Sequence, residues 1–239
     1  METAVPAAER GIDPKPWGIP AIAAVLAIPV ALFASSFLVD ATEELSTGEI
    51  VVGLVSTLVF KDALFIGLVA GFALWRYRLG WQGLGLRPFD RSLWWLPVVA
   101  AAAALVTVIV YGYILLGLGF DAPEQTAVQA LFDSNIALPL TGFALVIVAP
   151  LSEEIFFRGF IFPGLIKPLG LGGAMLATGV LFGAIHITGL DTVAIALPFS
   201  LIGALFCWLY YRTGSLWPSI ITHLLFNSVG FAVGAIGAQ

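Results

Sequence analysis

Residues 92–120 read SLWWLPVVAAAAALVTVIVYGYILLGLGF, a run of 29 residues without a charged side chain. A helix needs roughly 20 consecutive apolar residues to cross the hydrocarbon core of a bilayer, so this run predicts a membrane-spanning helix. The whole chain has the same character: 60% of its 239 residues are hydrophobic and 10% are charged, with a mean hydropathy of +1.03. A soluble domain usually carries about 25% charged residues, so a soluble globular fold is excluded.

Six further segments have the length and the apolar composition of spanning helices. They are residues 16–39, 50–75, 134–152, 168–190, 192–211 and 213–239. The segment 50–75 is interrupted only by the adjacent charges of Lys61 and Asp62. No segment alternates apolar and polar residues over about 10 positions, as a strand of a membrane barrel would. We therefore predict a single all-α membrane domain, a polytopic bundle of seven to eight transmembrane helices.

The charge of the segments between the predicted spans alternates in sign along the chain. Arginines predominate between the second and third spans, whereas acidic residues predominate after the first and after the third. Because cytoplasmic loops are enriched in Lys and Arg, this pattern predicts a cytoplasmic amino terminus and an external carboxyl terminus. We expect the first span to be retained, and the protein to lie in the lipid bilayer of a bacterial plasma membrane. The net charge of −5 and the lack of a basic cluster argue against a nucleic-acid partner.

A few charged or strongly polar side chains lie in or beside the predicted spans, where each costs a few kcal/mol on insertion scales. They are Lys61, Asp62, Glu153, Glu154, Arg158, His186, His223 and Asn227. We interpret Lys61 and Asp62 as an interior charge pair, which limits the cost of burial. The alternative is that these two residues belong to a hydrophilic cavity near a functional site.

The two adjacent glutamates are expected to differ in their surroundings. Glu154 and Arg158 are four residues apart, with the acid on the amino-terminal side, which is the favourable order for a helical ion pair. Glu153 points about 100° away, because a helix has 3.6 residues per turn. Arg158 would then neutralise Glu154 and leave Glu153 free to titrate, which gives the two carboxylates different roles. The alternative is that both acids lie in water at a helix end.

Both histidines of the chain lie in its carboxyl-terminal part, and each shares a helix face with a residue four positions away. Phe182 precedes His186, and Asn227 follows His223. A His/Asn pair on one face is compatible with donors to a developing oxyanion, and equally with a polar contact between helices. Each pair alone is weak evidence, but three polar-bearing helices in an apolar chain together indicate a functional site.

These residues fall into four motifs. The motifs are Ala149-Pro150-x-x-Glu153-Glu154-x-x-x-Arg158-Gly159, Phe182-x-x-x-His186, Arg212-Thr213-Gly214-Ser215-Leu216-Trp217-Pro218 and His223-x-x-x-Asn227. In order and spacing they resemble the CAAX-processing and bacteriocin-immunity family of membrane proteins, also called CPBP or Abi, which includes the type II CAAX prenyl proteases. The resemblance implies variable amino-terminal transmembrane helices at 1–140 and a catalytic core at 141–239.

The resemblance further implies an intramembrane glutamic endopeptidase. Its substrate would be a membrane-embedded or membrane-associated protein or peptide, or one that is prenylated at a CAAX-like end. Glu153 would activate a water molecule with the help of His186, and His223 and Asn227 would hold the oxyanion of the tetrahedral intermediate. The supporting residues would be Glu154, Arg158 and Phe182.

Two questions stay open from the sequence. Zn²⁺ could be held by Glu153, His186 and His223, but this ligand set would occupy the groups that water activation needs, so we favour no cofactor. The function could also be non-proteolytic, as in an immunity or scaffold protein of the same fold, or that of a small transporter. A scaffold has no chemical need for all four site residues, and a transporter more often shows two related halves, of which we find no trace.

Overall fold

The computed structural model describes residue 12 and residues 14–23, 26–27, 59–120, 137–187 and 192–237. Within these residues the chain is helical and contains no strand, which confirms the all-α class. The first predicted span, 16–39, lies largely outside the described residues. The second is represented by a helix over residues 59–76, here called α1, which carries Lys61 and Asp62 and ends in a π-helical stretch, Ala70–Arg76.

The remaining helices follow in chain order. They are α2 (Leu96–Gly117), α3 (Ala137–Phe143), α4 (Ala149–Glu153), α5 (Phe162–Ala184), α6 (Ala196–Thr213) and α7 (Trp217–Gly237). Two π-helical stretches, Ala144–Val148 and Glu154–Ile161, join α3 to α4 and α4 to α5. Short 3₁₀ turns lie at Trp81–Leu84, Arg91–Leu93 and Val193–Ile195.

Four helical segments of the described chain are long and apolar enough to cross a membrane: Arg91–Gly117, Leu138–Ala184, Val193–Thr213 and Trp217–Ile236. The protein is therefore an integral membrane protein. Three of these segments match predicted spans, whereas the predicted spans 134–152 and 168–190 are parts of one long helical segment.

That long segment corrects the expected helix boundary at Ser152. The helix continues through Glu153 and Arg158 and breaks only at Gly170, where φ is 70° and ψ is 173°. Glycine adopts this backbone conformation without steric cost, and Pro168 just before it lacks the N–H that a helix interior requires. The acidic pair therefore lies inside a helical segment and not at a solvated helix end.

Close packing of α5 against α6 fixes the position of the residues that follow. A Cβ atom placed on Gly203 would lie 2.9 Å from the Cα of Gly179 and 3.0 Å from the Cβ of Phe182. Small residues at such an interface let two helix backbones approach closely, as is common in membrane helix pairs. The ring of Phe182 is thereby held between the helices, one turn before His186.

Three connecting segments meet at one end of the bundle. The indole Nε1 of Trp17 donates a hydrogen bond to the carbonyl of Phe160 at 2.9 Å. The backbone N–H of Leu216, in the turn between α6 and α7, donates to the carbonyl of Gly85 at 2.8 Å. The connection after α1 and the turn after Arg212 are therefore in contact, and both also lie against Gly159, the neighbour in sequence of the Phe160 that Trp17 contacts.

Candidate functional site

A buried ion pair is part of the candidate site. Nη1 of Arg158 donates to Oε1 of Glu154 at 2.8 Å, and both side chains are fully buried. Nη2 of Arg158 donates to the carbonyl of Gly203 on α6 at 2.9 Å. The guanidinium also lies 4.4 Å from the centroid of Phe182 and 5.0 Å from that of Phe206. The ion pair that the i, i+4 spacing predicts is present. Through these contacts Arg158 joins the π-helical stretch Glu154–Ile161 to α5 and α6.

Glu153 has a cationic partner that its position in the sequence does not suggest. The ammonium of Lys61 on α1 donates a hydrogen bond to Oε1 of Glu153, whose side chain is only 5% exposed. Lys61 also lies 3.4 Å from Oδ1 of Asp62, so the expected charge pair exists but is the longer of the two. The prediction that Glu153 is left without a cation is therefore wrong. Asp62 in turn accepts a hydrogen bond from Ser152 Oγ at 2.6 Å.

His223 lies between the two glutamates. Its Nδ1 is 3.0 Å from Oε1 of Glu154, and its Nε2 is 3.9 Å from Oε2 of Glu153. A carboxylate only accepts hydrogen bonds, so Nδ1 carries a proton and donates it to Glu154. The 3.9 Å separation is too long for a direct hydrogen bond, so Nε2 faces Glu153 without being bonded to it.

His186, in the turn just after α5, lies beside His223 across the ring of Phe182. Its Nδ1 donates to the carbonyl of Phe182 at 2.7 Å, which leaves Nε2 as an acceptor in the neutral ring. The imidazole stacks on Phe199, with ring centroids 4.1 Å apart. The Phe182 centroid lies 4.9 Å from that of His186 and 5.7 Å from that of His223, so one aromatic ring contacts both histidines.

Asn227 is placed one helical turn after His223, but its observed hydrogen bond goes to the backbone. Nδ2 donates to the carbonyl of Leu145 at 2.8 Å, within the π-helical stretch Ala144–Val148. An amide nitrogen carries two N–H groups, so this contact leaves one donor for another acceptor. The structure therefore shows the helix-to-helix contact that the sequence leaves open, and it is compatible with a second role.

The alternative zinc site of Glu153, His186 and His223 gains no support from this arrangement. Within the described parts of the chain, no three His, Cys, Asp or Glu side chains are grouped so as to hold a metal. One oxygen of Glu153 already accepts from the ammonium of Lys61, and a second cation there would be repelled. Nδ1 of His186 and Nδ1 of His223 make the hydrogen bonds described above, but metal-bound histidines make the same bonds and bind through Nε2, so the histidines do not decide the question. No chemical step is therefore assigned to a metal.

The comparison with known proteins finds similarity in the carboxyl-terminal part of the chain. Residues 135–229 match the family model described as type II CAAX prenyl endopeptidase, Rce1-like. Residues 135–229 are therefore similar to that family and are called the Rce1-like region below. A 116-residue stretch, 48% of the chain, is 34% identical to a protein of Bacillus subtilis (strain 168) named as a membrane peptidase, YdiL, and covers 45% of it. A 101-residue stretch, 36% of the chain, is 31% identical to CAAX prenyl protease 2 of Homo sapiens and covers 31% of it.

The chain thus spans less than half the length of these two curated relatives. No solved structure gives a significant match to it. The Rce1-like region contains every residue that the motifs single out, from Glu153 to Asn227. Lys61 and Asp62, which complete the buried charge cluster, lie outside it. Sequence reasoning did not predict the contact of Lys61 with Glu153. The available signal was the pair of charges inside an apolar span, which left open that Lys61 and Asp62 lie near a functional site.

Proposed function

We propose that this protein is an intramembrane endopeptidase that hydrolyses a peptide bond of a membrane-associated protein or peptide. The observation that carries the proposal is the convergence of Glu153 on α4 and His223 on α7 onto one buried site, with His186 beside them across the ring of Phe182. Such a convergence of ionisable side chains inside an apolar bundle is costly and typical of a functional site. The Rce1-like match over the same residues supports a peptidase, and no observation favours a scaffold or a transporter.

In the proposed mechanism, Glu153 is the general base. Peptide hydrolysis needs an activated water molecule, donors for the oxyanion and a proton for the leaving amine. A water molecule beside Glu153 would transfer a proton to the carboxylate as its oxygen attacks the scissile carbonyl carbon. Nε2 of His186, which is free to accept, would orient that water. The proton on Glu153 would then pass to the departing amine nitrogen, so the carboxylate is regenerated.

His223 and Asn227 are the proposed donors to the oxyanion. Asn227 can offer the N–H that is not used on Leu145. His223 already donates through Nδ1 to Glu154, so it can donate through Nε2 only in its doubly protonated form. Glu154, itself paired with Arg158, would fix the His223 ring through Nδ1. Phe182 would position His186 and His223 relative to each other, because it contacts both rings. The proposal thus gives each predicted site residue a part in reacting with, positioning or stabilising the reacting groups.

The substrate proposal uses the names of the relatives. One relative is named as a membrane peptidase and another as a CAAX prenyl protease. We infer a substrate that reaches the site from the bilayer, with a prenylated, CAAX-like carboxyl terminus as one candidate. Such a substrate would enter the apolar bundle from the lipid, so the acidic cluster would not have to be exposed to bulk water.

A cleavage assay that includes a chelator tests the activity and the absence of a metal together. We expect the purified protein in detergent or liposomes to cleave at least one member of a panel of farnesylated and unlipidated membrane peptides. Because the proposed base is a carboxylate and not a metal ligand, we expect activity to survive prolonged chelation. His186→Ala should lower the activity without unfolding the protein. Stoichiometric zinc whose removal abolishes turnover and whose return restores it would contradict the metal-free scheme.

The orientation in the membrane follows from the shared basic end of the bundle. We propose that this end, with the connection after α1 and the turn after Arg212, faces the cytoplasm. In a Cys207→Ala background, Glu124→Cys should react with an impermeant maleimide added to intact cells. Ser92→Cys, at an exposed position of the basic connection, should react only after permeabilisation. Labelling of Ser92→Cys in intact cells would reverse the proposed orientation.

A further inference from the structure

A lysine from outside the Rce1-like region binds the proposed general base. Lys61 on α1 donates to Oε1 of Glu153, 92 positions along the chain. Its ammonium also lies 3.4 Å from Oδ1 of Asp62. The other cation of the cluster, Arg158, is committed to Glu154. Among the Lys and Arg residues that the structure describes, Lys61 is therefore the one that directly balances the charge of Glu153.

We propose that Lys61 is a positioning residue of the active site, which keeps Glu153 ionised and fixes the orientation of its carboxylate. The inference rests on the proposed function and adds that the amino-terminal helix α1 completes the catalytic site. An ionised carboxylate removed from water costs several kcal/mol unless it is paired and hydrogen-bonded. Lys61 supplies this pairing, because Arg158 is bound elsewhere.

The contact also determines which oxygen of Glu153 faces the reacting groups. Lys61 binds Oε1, whereas Oε2 is the oxygen that faces Nε2 of His223 at 3.9 Å. With Oε1 anchored, Oε2 is left to accept the proton of the attacking water. Loss of the anchor would let the carboxylate rotate away from this geometry, and a displacement of about 1 Å can cost about 10²-fold in rate.

Asp62 and Ser152 hold the lysine in place. Asp62 is buried, accepts from Ser152 Oγ at 2.6 Å and lies beside the ammonium of Lys61. Two carboxylates, Asp62 and Glu153, thus share one ammonium. Removal of Lys61 would leave two buried carboxylates near each other without a cation, and like charges in such a site do not both remain ionised. Lys61 therefore matters for the charge state of the base as well as for its geometry.

The exposure of Lys61 makes the proposal testable by chemical rescue. Its side chain is 27% exposed, compared with 4% for Asp62 and 5% for Glu153. It is thus the most accessible of these three members of the cluster. In a Lys61→Ala variant, a small alkylammonium ion added to the assay can enter from the same side and occupy the vacated position.

The experiment measures peptide cleavage by Lys61→Met, Lys61→Arg and Lys61→Ala in the full-length protein. We expect Lys61→Met to lower kcat about 10²-fold with little change in KM, because Lys61 acts on the base and not on substrate binding. Lys61→Arg should retain part of the activity, and ethylammonium should restore part of the activity of Lys61→Ala in a saturable manner. Lys167→Met is the matched control, because it removes the same charge from an exposed position.

The outcomes separate this inference from the proposed function. If the wild-type protein is active and a folded Lys61→Met variant has the same kcat, the proposed role of Lys61 is overturned and the proposed peptidase function is unaffected. Loss of activity that neither Lys61→Arg nor ethylammonium reverses, together with a lowered unfolding temperature, would assign Lys61 a structural role only. If the wild-type protein cleaves no peptide under conditions where it is folded, the proposed function fails and this inference fails with it.

Discussion

Glu153→Gln is expected to lower kcat for peptide cleavage by about 10²–10⁴-fold, the range that general acid–base catalysis contributes. The amide has nearly the shape of the carboxylate but cannot take a proton from the attacking water. The helices should stay folded, because Lys61 keeps a carboxylate partner in Asp62 at 3.4 Å and is partly exposed. KM should change little, since the proton transfer occurs only in the transition state.

The measurement is steady-state cleavage of the best peptide of the panel, with unfolding followed in the same preparation. Ser228→Ala is a useful control, because this exposed side chain bonds only to its own helix, at the carbonyl of Leu224. The control should have wild-type activity. A Glu153→Gln protein that is folded and cleaves at the wild-type rate would remove Glu153 from the role of base.

Features set by composition and by short-range spacing could be predicted from this sequence. The apolar runs determine the helical membrane class, because in hydrocarbon the backbone must satisfy its own hydrogen bonds. The pair of Glu154 and Arg158 follows from the helical period alone, and the structure places them 2.8 Å apart. Both predictions depend on residues that are adjacent in the chain or within one helical turn.

Features that depend on packing between distant segments could not be predicted in this way. The contact of Lys61 with Glu153 joins two helices whose relative rotation no local pattern specifies. The helix boundary expected at Ser152 is wrong because a charged residue ends a span only when it faces water, and Glu153, Glu154 and Arg158 are buried. The proximity of the two histidines depends on packing as well, because Phe182 contacts both rings.

The same buried charges lead to the largest expected effect on stability, that of Glu154→Gln. Arg158 is fully buried, and this change removes its only carboxylate partner among the described contacts, leaving the carbonyl of Gly203. Breaking a buried ion pair by removing one partner costs about 3–5 kcal/mol, because the remaining charge is uncompensated. We therefore expect Glu154→Gln to lower the free energy of unfolding by about this amount, and by more than Glu153→Gln does.

The comparison of single and double variants distinguishes an uncompensated charge from a loss of packing. In Glu154→Gln/Arg158→Met the buried charge is removed together with its partner, so the double variant should be more stable than Glu154→Gln alone. Reversible unfolding in mixed detergent micelles measures the free energy of unfolding of the single and the double variant, with Glu153→Gln as the reference. If the double variant is as unstable as the single one, the cost comes from lost packing around Phe182 and Phe206. If Glu153→Gln is the more unstable single variant, the roles of the two glutamates are reversed, and Glu154 becomes the candidate base.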